Sequence, residues 1–185
     1  LTRTTSTYYD GYWQHEEYFN DIRQQLLATF RFPELKDERN RLTAQRITDG
    51  TTLSIHVRRG DYTTNSLYKD ICNAEYYNRA LNIMLPQCRP DLICIFSDDI
   101  GWCRNSLEGM MNGTDHIYVD WNRDADYYID MQLMALCHHH IIANSSFSWW
   151  GAWLSQAQHK RVCAPKRWMN DREICSPVLK DWIST

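Results

Sequence analysis

Residues 53–61 read LSIHVRRGD, a strand-like run that ends in two arginines, a glycine and an aspartate. Apolar and polar side chains alternate over residues 53–57, which predicts a β-strand. Arg58 and Arg59 leave that strand, and Gly60 then allows the backbone to turn tightly. Because a guanidinium is planar and always charged, the pattern predicts a fixed cationic fork at the edge of a sheet.

The rest of the chain alternates between short apolar runs and segments with helical spacing. Strands are predicted at residues 92–96, 116–119, 140–143 and 161–164. Helices are predicted at residues 16–30, 74–85, 124–137 and 147–156, the second of them capped by Asn73 and ended before Pro86. This alternation predicts an α/β fold, a Rossmann-like and mostly parallel sheet with helices on both faces. We divide the chain into an N-terminal helical segment, residues 1–50, and a domain at residues 51–185.

Composition excludes several classes of protein. The 185 residues carry 20 Lys and Arg against 23 Asp and Glu, a net charge of −3, so there is no basic excess to neutralise a nucleic-acid backbone. No apolar run reaches the roughly 18 residues that span a bilayer. The seven cysteines are scattered without a CxxC pair, which favours free thiols in a reducing compartment over a disulfide framework or a zinc site.

The first strand is expected to present its charges on two sides. Alternation places His56 and Arg58 on one face and Arg59 on the other. Since a guanidinium can bind a diphosphate bidentately without a metal, we expect Arg58 to be the phosphate ligand, with His56 beside it. Arg59 is expected to pair with Asp61 or a neighbouring acid. The alternatives are an ordinary surface cluster of ion pairs and an adhesion-type Arg-Gly-Asp tripeptide.

Two further strand ends carry polar residues. Asp98 and Asp99 follow the strand at residues 92–96. They could accept the paired N–H groups of a guanine ring or hold a metal, or Asp99 could cap the next helix. Residues 144–153, NSSFSWWGAW, place hydroxyl groups at a helix start, which can bind phosphate or be plain capping by Asn144 or Ser145.

Two other stretches have more than one interpretation. The three consecutive histidines at residues 138–140 point in different directions in extended geometry, so a shared metal ion is disfavoured. The acidic and aromatic residues 120–128 either line an acceptor cleft or start a helix.

Three motifs occur in a telling order: HVRRGDY at residues 56–62, FSDD at 96–99 and IANSSFSWWGAWL at 142–154. Together they resemble glycosyltransferase family 11, the α-1,2-fucosyltransferases, and residues 9–14, YDGYWQ, are similar to a mid-chain segment of that family. The resemblance implies inverting, metal-independent transfer of L-fucose from GDP-fucose to the 2-hydroxyl of a terminal galactose in a glycan. It also implies a GT-B fold, of which this chain is the GDP-fucose-binding half, with no cofactor.

The resemblance also implies roles for individual residues. Arg58 would hold the diphosphate, His56 would contact the nucleotide, and Asp98 or Asp99 would accept from guanine. Asp61 is a candidate catalytic base because it lies close in sequence. Ser146, Phe147 and Ser148 would close around the phosphates, with Asn144 and Ser145 as further substrate-binding residues. These roles require the guanidinium after Val57 and the turn after Ala143 to share one pocket.

One departure from the family sets further expectations. Members begin with a Gly-rich, Gln-containing element that helps to bind the acceptor, and this chain lacks it. We therefore expect the donor-binding portion of a longer enzyme, which binds GDP or GDP-fucose but transfers fucose poorly by itself. The alternatives are a non-catalytic nucleotide-sugar-binding or scaffold domain and another GDP-fucose-dependent fucosyltransferase. The expected location is the cytoplasm, with peripheral association at the inner membrane face, and the alternative is the Golgi lumen.

Overall fold

A single parallel sheet organises the chain. The computed structural model describes residues 6–10, 15–171 and 176–185, and within them six strands pair in the order β3-β2-β1-β4-β5-β6. The strands are β1 (Thr52–Val57), β2 (Leu92–Ser97), β3 (His116–Val119), β4 (His139–Ile141), β5 (Val162–Ala164) and β6 (Ile183–Ser184). Every pairing is parallel, so the predicted Rossmann-like α/β fold is confirmed.

Helices cover both faces of this sheet. The α-helices are α1 (Arg23–Thr29), α2 (Glu38–Thr48), α3 (Ala74–Cys88), α4 (Ile100–Leu107), α5 (Tyr127–Leu136) and α6 (Ser146–Leu154). The face of β1 that carries Leu53, Ile55 and Val57 packs with side chains of α3 and α4. On the other face, α5 packs against β2, and α6 packs against the segment that follows β4. Helices therefore exclude solvent from both faces of the sheet, as the apolar strands predicted.

The predicted helix at residues 16–30 is only partly correct. Two 3-10 turns, Glu16–Tyr18 and Asn20–Ile22, precede the short helix α1, and none of its seven residues is buried. The apolar side chains of this segment contact α6 instead. Phe19, for example, stacks on Trp150 with ring centroids 5.6 Å apart. This segment is a strap across the tryptophans of α6 rather than one amphipathic helix.

Two helix boundaries differ from prediction for local reasons. Helix α3 continues through Pro86 and ends where Arg89 adopts a left-handed backbone with φ 45°. Proline in the last turn costs only one backbone hydrogen bond, so it does not end this helix. Asp124 begins a 3-10 turn, Asp124–Asp126, and the α-helix proper follows it.

Helix α2 and strand β6 have no counterpart among the predicted elements. Helix α2 is capped by Asp37, whose side chain accepts from the Asn40 amide at 2.9 Å. It contributes Ile47 to the core beneath α5. The division of the chain at residue 50 stays a prediction, although this helix before it packs on the same sheet.

The strand order creates one crevice at the carboxyl edge of the sheet. The chain runs outward from β1 through β2 and β3 on one side, and through β4, β5 and β6 on the other. The connections that follow β1 and β4 therefore lead to opposite sides of the sheet, which makes the gap between these two strands a topological switch point. Ligands of open parallel sheets bind at such a point. The segments that leave these two strands are the arginine loop after Val57 and the hydroxyl-rich turn after Ala143.

Candidate anion-binding site at the carboxyl edge

Arg58 is held between two carboxylates at the end of β1. Its Nη2 lies 2.6 Å from Oδ1 of Asp61, and its Nη1 lies 3.2 Å from Oδ2 of Asp98. The Arg58 side chain is 39% exposed, so it is oriented by the two carboxylates and still accessible to solvent. Of the two partners expected for Arg59, Asp61 is not the one it takes, because the turn at Gly60 brings Asp61 back beside Arg58.

Arg59 points the other way and pairs with a neighbouring acid. Its Nε donates to Oδ2 of Asp99 at 3.1 Å, and its guanidinium lies 4.4 Å from the ring centroid of Trp102. Asp99 also caps α4, since its Oδ1 accepts from the Trp102 amide at 2.9 Å. Arg59 is thus an anchor for α4, and it lines the same pocket as Arg58.

Asp98 shapes the loop that carries the two arginines. Its Oδ1 accepts from the backbone N–H of Arg59 at 2.8 Å. The loop passes so close that a Cβ added to Gly60 would lie 2.7 Å from Oδ2 of Asp98. Both Asp98 and Asp99 therefore already accept hydrogen bonds from this chain. Their acceptance of guanine stays a prediction, and it requires each to use a remaining lone pair.

The hydroxyl-rich turn starts α6 and leaves the first helical N–H groups uncapped by a side chain. Ser145 is the N-cap residue, yet its side chain makes no capping hydrogen bond. Ser146 is exposed and Phe147 is half-buried at the mouth of the crevice. Ser148 is fully buried, and its hydroxyl donates to the carbonyls of Ala143 and Ser145. The expected closing of Ser148 around phosphate can therefore involve its backbone N–H only.

The arginine loop and the hydroxyl-rich turn meet as predicted. Arg58 and Asn144 line one pocket of about 140 Å³, together with Tyr62. The Tyr62 hydroxyl donates to the Asn144 carbonyl at 3.3 Å, which ties the two segments together. On the other side of the sheet, the rings of His56 and Phe147 lie 5.4 Å apart. The pocket thus holds the Arg58 side chain beside Asn144, the residue that precedes the N-cap of α6.

His56 is a neutral imidazole near the end of β1. It is 6% exposed, and burial, followed by the charge of Arg58, lowers the pKa of His56 from 6.5 to about 3. Its backbone carbonyl accepts from the buried Tyr77 hydroxyl at 3.0 Å. His56 can therefore donate or accept one hydrogen bond at the site without carrying charge.

Asp130 is a buried acid at the same edge that the motifs did not indicate. Its Oδ1 accepts from Asn122 at 2.7 Å, and Asn122 in turn exchanges hydrogen bonds with Asn40 of α2. Burial raises the pKa of Asp130 to about 7, against the opposing hydrogen bond from Asn122. The feature of the sequence that could have indicated this buried acid is a carboxylate three residues before Leu133, within the apolar stripe of α5.

The three histidines of residues 138–140 go to three different partners. His138 lies 3.0 Å from the Thr52 hydroxyl, His139 accepts from the Arg161 amide, and His140 lies 2.8 Å from the Ser54 hydroxyl. Across the described ranges, no three His, Cys, Asp or Glu side chains gather as metal ligands would.

The structure also shows the state of the cysteines and the length of the apolar helices. Six cysteines in the described part of the chain are free thiols, whereas Cys175 lies outside the described residues, as do residues 11–14 of the YDGYWQ motif. Of the helices that the structure describes, none combines the length and apolarity needed to cross a bilayer.

A larger groove lies far from this edge. It has a volume of about 790 Å³ and is bounded by α1 and the last turns of α5 and α6, near Thr48 and His138. Those two residues precede β1 and β4, so the groove opens at the amino edge of the sheet. We place the candidate site at the smaller pocket because the charged groups and the switch point are there.

These features define a Rossmann-like α/β domain with a cationic crevice at its switch point. The sequence profile of glycosyl transferase family 11 matches residues 2–185. The chain belongs to glycosyl transferase family 11, which confirms the resemblance drawn from the motifs.

Two relatives from Escherichia coli are similar over most of this chain. An alpha-1,2-colitosyltransferase is 31% identical over 183 residues, 94% of this chain and 60% of the relative. The O-antigen biosynthesis glycosyltransferase WbnK is 36% identical over 140 residues, 74% of this chain and 45% of the relative. The chain thus spans about half the length of these curated relatives.

The chain is also similar to more distant proteins, again over only part of their length. The galactoside alpha-(1,2)-fucosyltransferase 1 of Leontopithecus chrysomelas is 24% identical over 75% of this chain and 40% of that protein. Among solved structures, POFUT1 in complex with GDP superposes with a TM-score of 0.48 at 11% identity, covering 69% of this chain and 46% of that one.

Proposed function

We propose that this chain binds the donor in a glycosyltransferase that moves L-fucose from GDP-fucose to the 2-hydroxyl of a terminal galactose. Family membership supports glycosyl transfer, and the motifs support this donor and linkage. The observation that carries the proposal is the shared pocket of Arg58 and Asn144 at the β1–β4 switch point. An inverting transfer is expected. The donor is held by this chain, and further residues of the longer enzyme complete the binding site for the glycan acceptor.

The crevice supplies what a departing nucleoside diphosphate needs. A guanidinium and the N–H groups of the first turn of α6 both favour negative charge, so the diphosphate can be neutralised by protein groups without a metal ion. Such preorganised donors stabilise developing charge because they do not have to reorient during the reaction. Arg58 is already oriented by Asp98, which leaves its Nη2 as the group that engages phosphate.

Donor binding changes the partner of Arg58. In the structure Nη2 contacts Asp61, whose side chain is 61% exposed. A phosphate oxygen that takes this position displaces the Asp61 carboxylate while Asp98 keeps its contact with Nη1. Asp61 is then free beside the reacting sugar, and in this proposal it accepts the proton of the attacking hydroxyl.

The identity of the transferred sugar has a second candidate. The relative that matches 94% of this chain is named an alpha-1,2-colitosyltransferase, so α-1,2-colitosyl transfer from a nucleotide-linked colitose is the alternative. The two candidates share the diphosphate site and differ only in the sugar. Competition between the two nucleotide sugars for this chain, measured against labelled GDP, separates them by the ratio of their affinities.

Calorimetry with GDP tests the proposed donor site. The chain is expected to bind GDP with measurable heat, equally with and without a metal chelator, and to bind ADP more weakly because the base differs. Absence of heat at millimolar GDP overturns the proposal. Binding that requires a divalent cation overturns its metal-independent part.

A further inference from the structure

A column of buried polar side chains runs along the seam between β1 and β4. Thr52 pairs with His138 at 3.0 Å, and Ser54 pairs with His140 at 2.8 Å. Alternate residues of a strand share one face, so the next member of the column is His56. The column therefore leads from the amino edge of the sheet to the candidate site.

Two imidazole nitrogens in this column have no hydrogen-bond partner among the described residues. They are Nε2 of His140 and Nδ1 of His56, and both are enclosed by protein. His140 lies opposite Ser54 in the parallel register. His56 lies two residues further along β1, about 6.6 Å away along the strand. The two residues occupy successive positions on one face of the β1–β4 seam, where one buried water of the kind that protein interiors use can bridge the two nitrogens.

Both imidazoles are neutral, so each has one donor nitrogen and one acceptor nitrogen. Burial is the main cause for both rings. It holds the pKa of His140 well below its ordinary value, with smaller contributions from Lys160 and the adjacent histidines. It lowers the pKa of His56 to about 3. The position of one hydrogen on each ring then decides what His56 offers to a ligand.

The Ser54 hydroxyl fixes the direction of these hydrogen bonds. Ser54 is fully buried, and the His140 ring is the group in contact with its hydroxyl. A buried hydroxyl with a single partner donates to it, since its hydrogen would otherwise be unsatisfied. Nδ1 of His140 is then the acceptor, and its Nε2 carries the hydrogen. The bridging water accepts from that Nε2–H and donates to Nδ1 of His56.

We propose that Ser54 and His140 are positioning residues that hold His56 as the tautomer with its hydrogen on Nε2, the ring nitrogen that, unlike Nδ1, is not enclosed by the protein. His56 is then a hydrogen-bond donor to an anionic oxygen of the ligand and not a base. The identity of that oxygen, on the diphosphate of the donor, rests on the proposed function. The tautomer itself does not.

Long-range ¹H–¹⁵N NMR of the histidine rings tests the tautomer directly on the free chain. His56 is expected with its hydrogen on Nε2. His140→Leu removes the donor toward His56, so the His56 signals should shift toward a mixture of tautomers. His140→Gln keeps an amide donor near the position of Nε2 and should restore the original tautomer. Ser54→Ala removes only a hydroxyl, so it gives the same readout if His140→Leu does not fold.

GDP affinity provides the second readout. His140→Leu should weaken GDP binding by about tenfold, the worth of one hydrogen bond to a charged group, and His140→Gln should recover most of it. A wild-type His56 with its hydrogen on Nδ1, or a His56 tautomer that is the same in all three variants, overturns the positioning role. If the tautomer behaves as expected but the wild-type chain binds no GDP, the positioning role stands and the proposed function fails.

Discussion

The two faces of β1 differ in chemistry although both are buried. Leu53, Ile55 and Val57 form an apolar face against α3 and α4. The opposite face carries Thr52, Ser54 and His56, which are 0%, 0% and 6% exposed. Buried polar groups stabilise a fold only when they are paired, so the second face depends on partners across the seam in a way that the first does not.

The difference continues past the end of the strand. Arg58 continues the alternation of the polar face and pairs with Asp98, whereas Arg59 continues that of the apolar face and anchors α4 through Asp99. One strand therefore separates two tasks. Its apolar face stabilises the domain, and its polar face prepares the site.

The largest effect is expected on the apolar face. Ile55→Ala should lower the free energy of unfolding by about 2–5 kcal/mol, because a fully buried side chain is replaced by a cavity. Urea unfolding followed by circular dichroism measures this loss. GDP affinity of the folded variant should be unchanged, and a parallel loss of affinity would show that the two faces are not separate.

Arg58→Ala should weaken GDP binding by about 10²-fold, near 2.7 kcal/mol, because the diphosphate loses its oriented cation. Calorimetry measures the change. Arg59→Lys is the control and should have a smaller effect, since the Arg59 guanidinium is already engaged by Asp99 and Trp102 and a lysine keeps the charge. Equal and mild losses at both positions contradict the assignment of Arg58 to the site.

Gly60→Ala should weaken GDP binding by about tenfold, because the new methyl group would lie 2.7 Å from Oδ2 of Asp98 and displace the carboxylate that orients Arg58. Gly109→Ala is the control, since a Cβ there meets nothing within 4 Å. Calorimetry on both variants provides the comparison. If the two behave alike, the close approach of the loop to Asp98 does not matter for binding.

The last prediction concerns the pH dependence of stability and does not involve GDP. The pKa of Asp130 rises from 3.8 to about 7 on folding, so the folded state binds the proton more tightly than the unfolded state. Stability should therefore fall as the pH rises from about 4 to about 7. Asp130→Asn should flatten that part of the profile in urea unfolding, while the exposed Asp126→Asn should leave it unchanged. A profile identical in both variants contradicts the burial of this carboxyl group.

The sequence predicted the strands better than it predicted the helix before them. Strand β1 has a clear alternation and a charged end, so its position could be predicted. Helix α2 buries only Asn40, Thr43 and Ile47, and two of these are polar, so no apolar period indicated it.

The partners of the charged residues could not be predicted from spacing alone. Asp98 lies beside Arg58 because Val57 pairs in register with Ser97, and register between strands is a tertiary property. The burial of Asp130 depends on Asn40, 90 positions earlier in the chain and in the helix that was missed. Likewise, only the register of β1 with β4 brings Ser54 to His140.

The most direct test of the shared crevice is an NMR titration of the chain with GDP. The backbone amides of Ser146 and Phe147 and the side-chain Nε–H of Arg58 should shift together, with a single dissociation constant. Shifts confined to Arg58, or shifts around Gln132 and Leu136 at the amino edge of the sheet, would contradict a diphosphate site formed jointly by the arginine loop and α6.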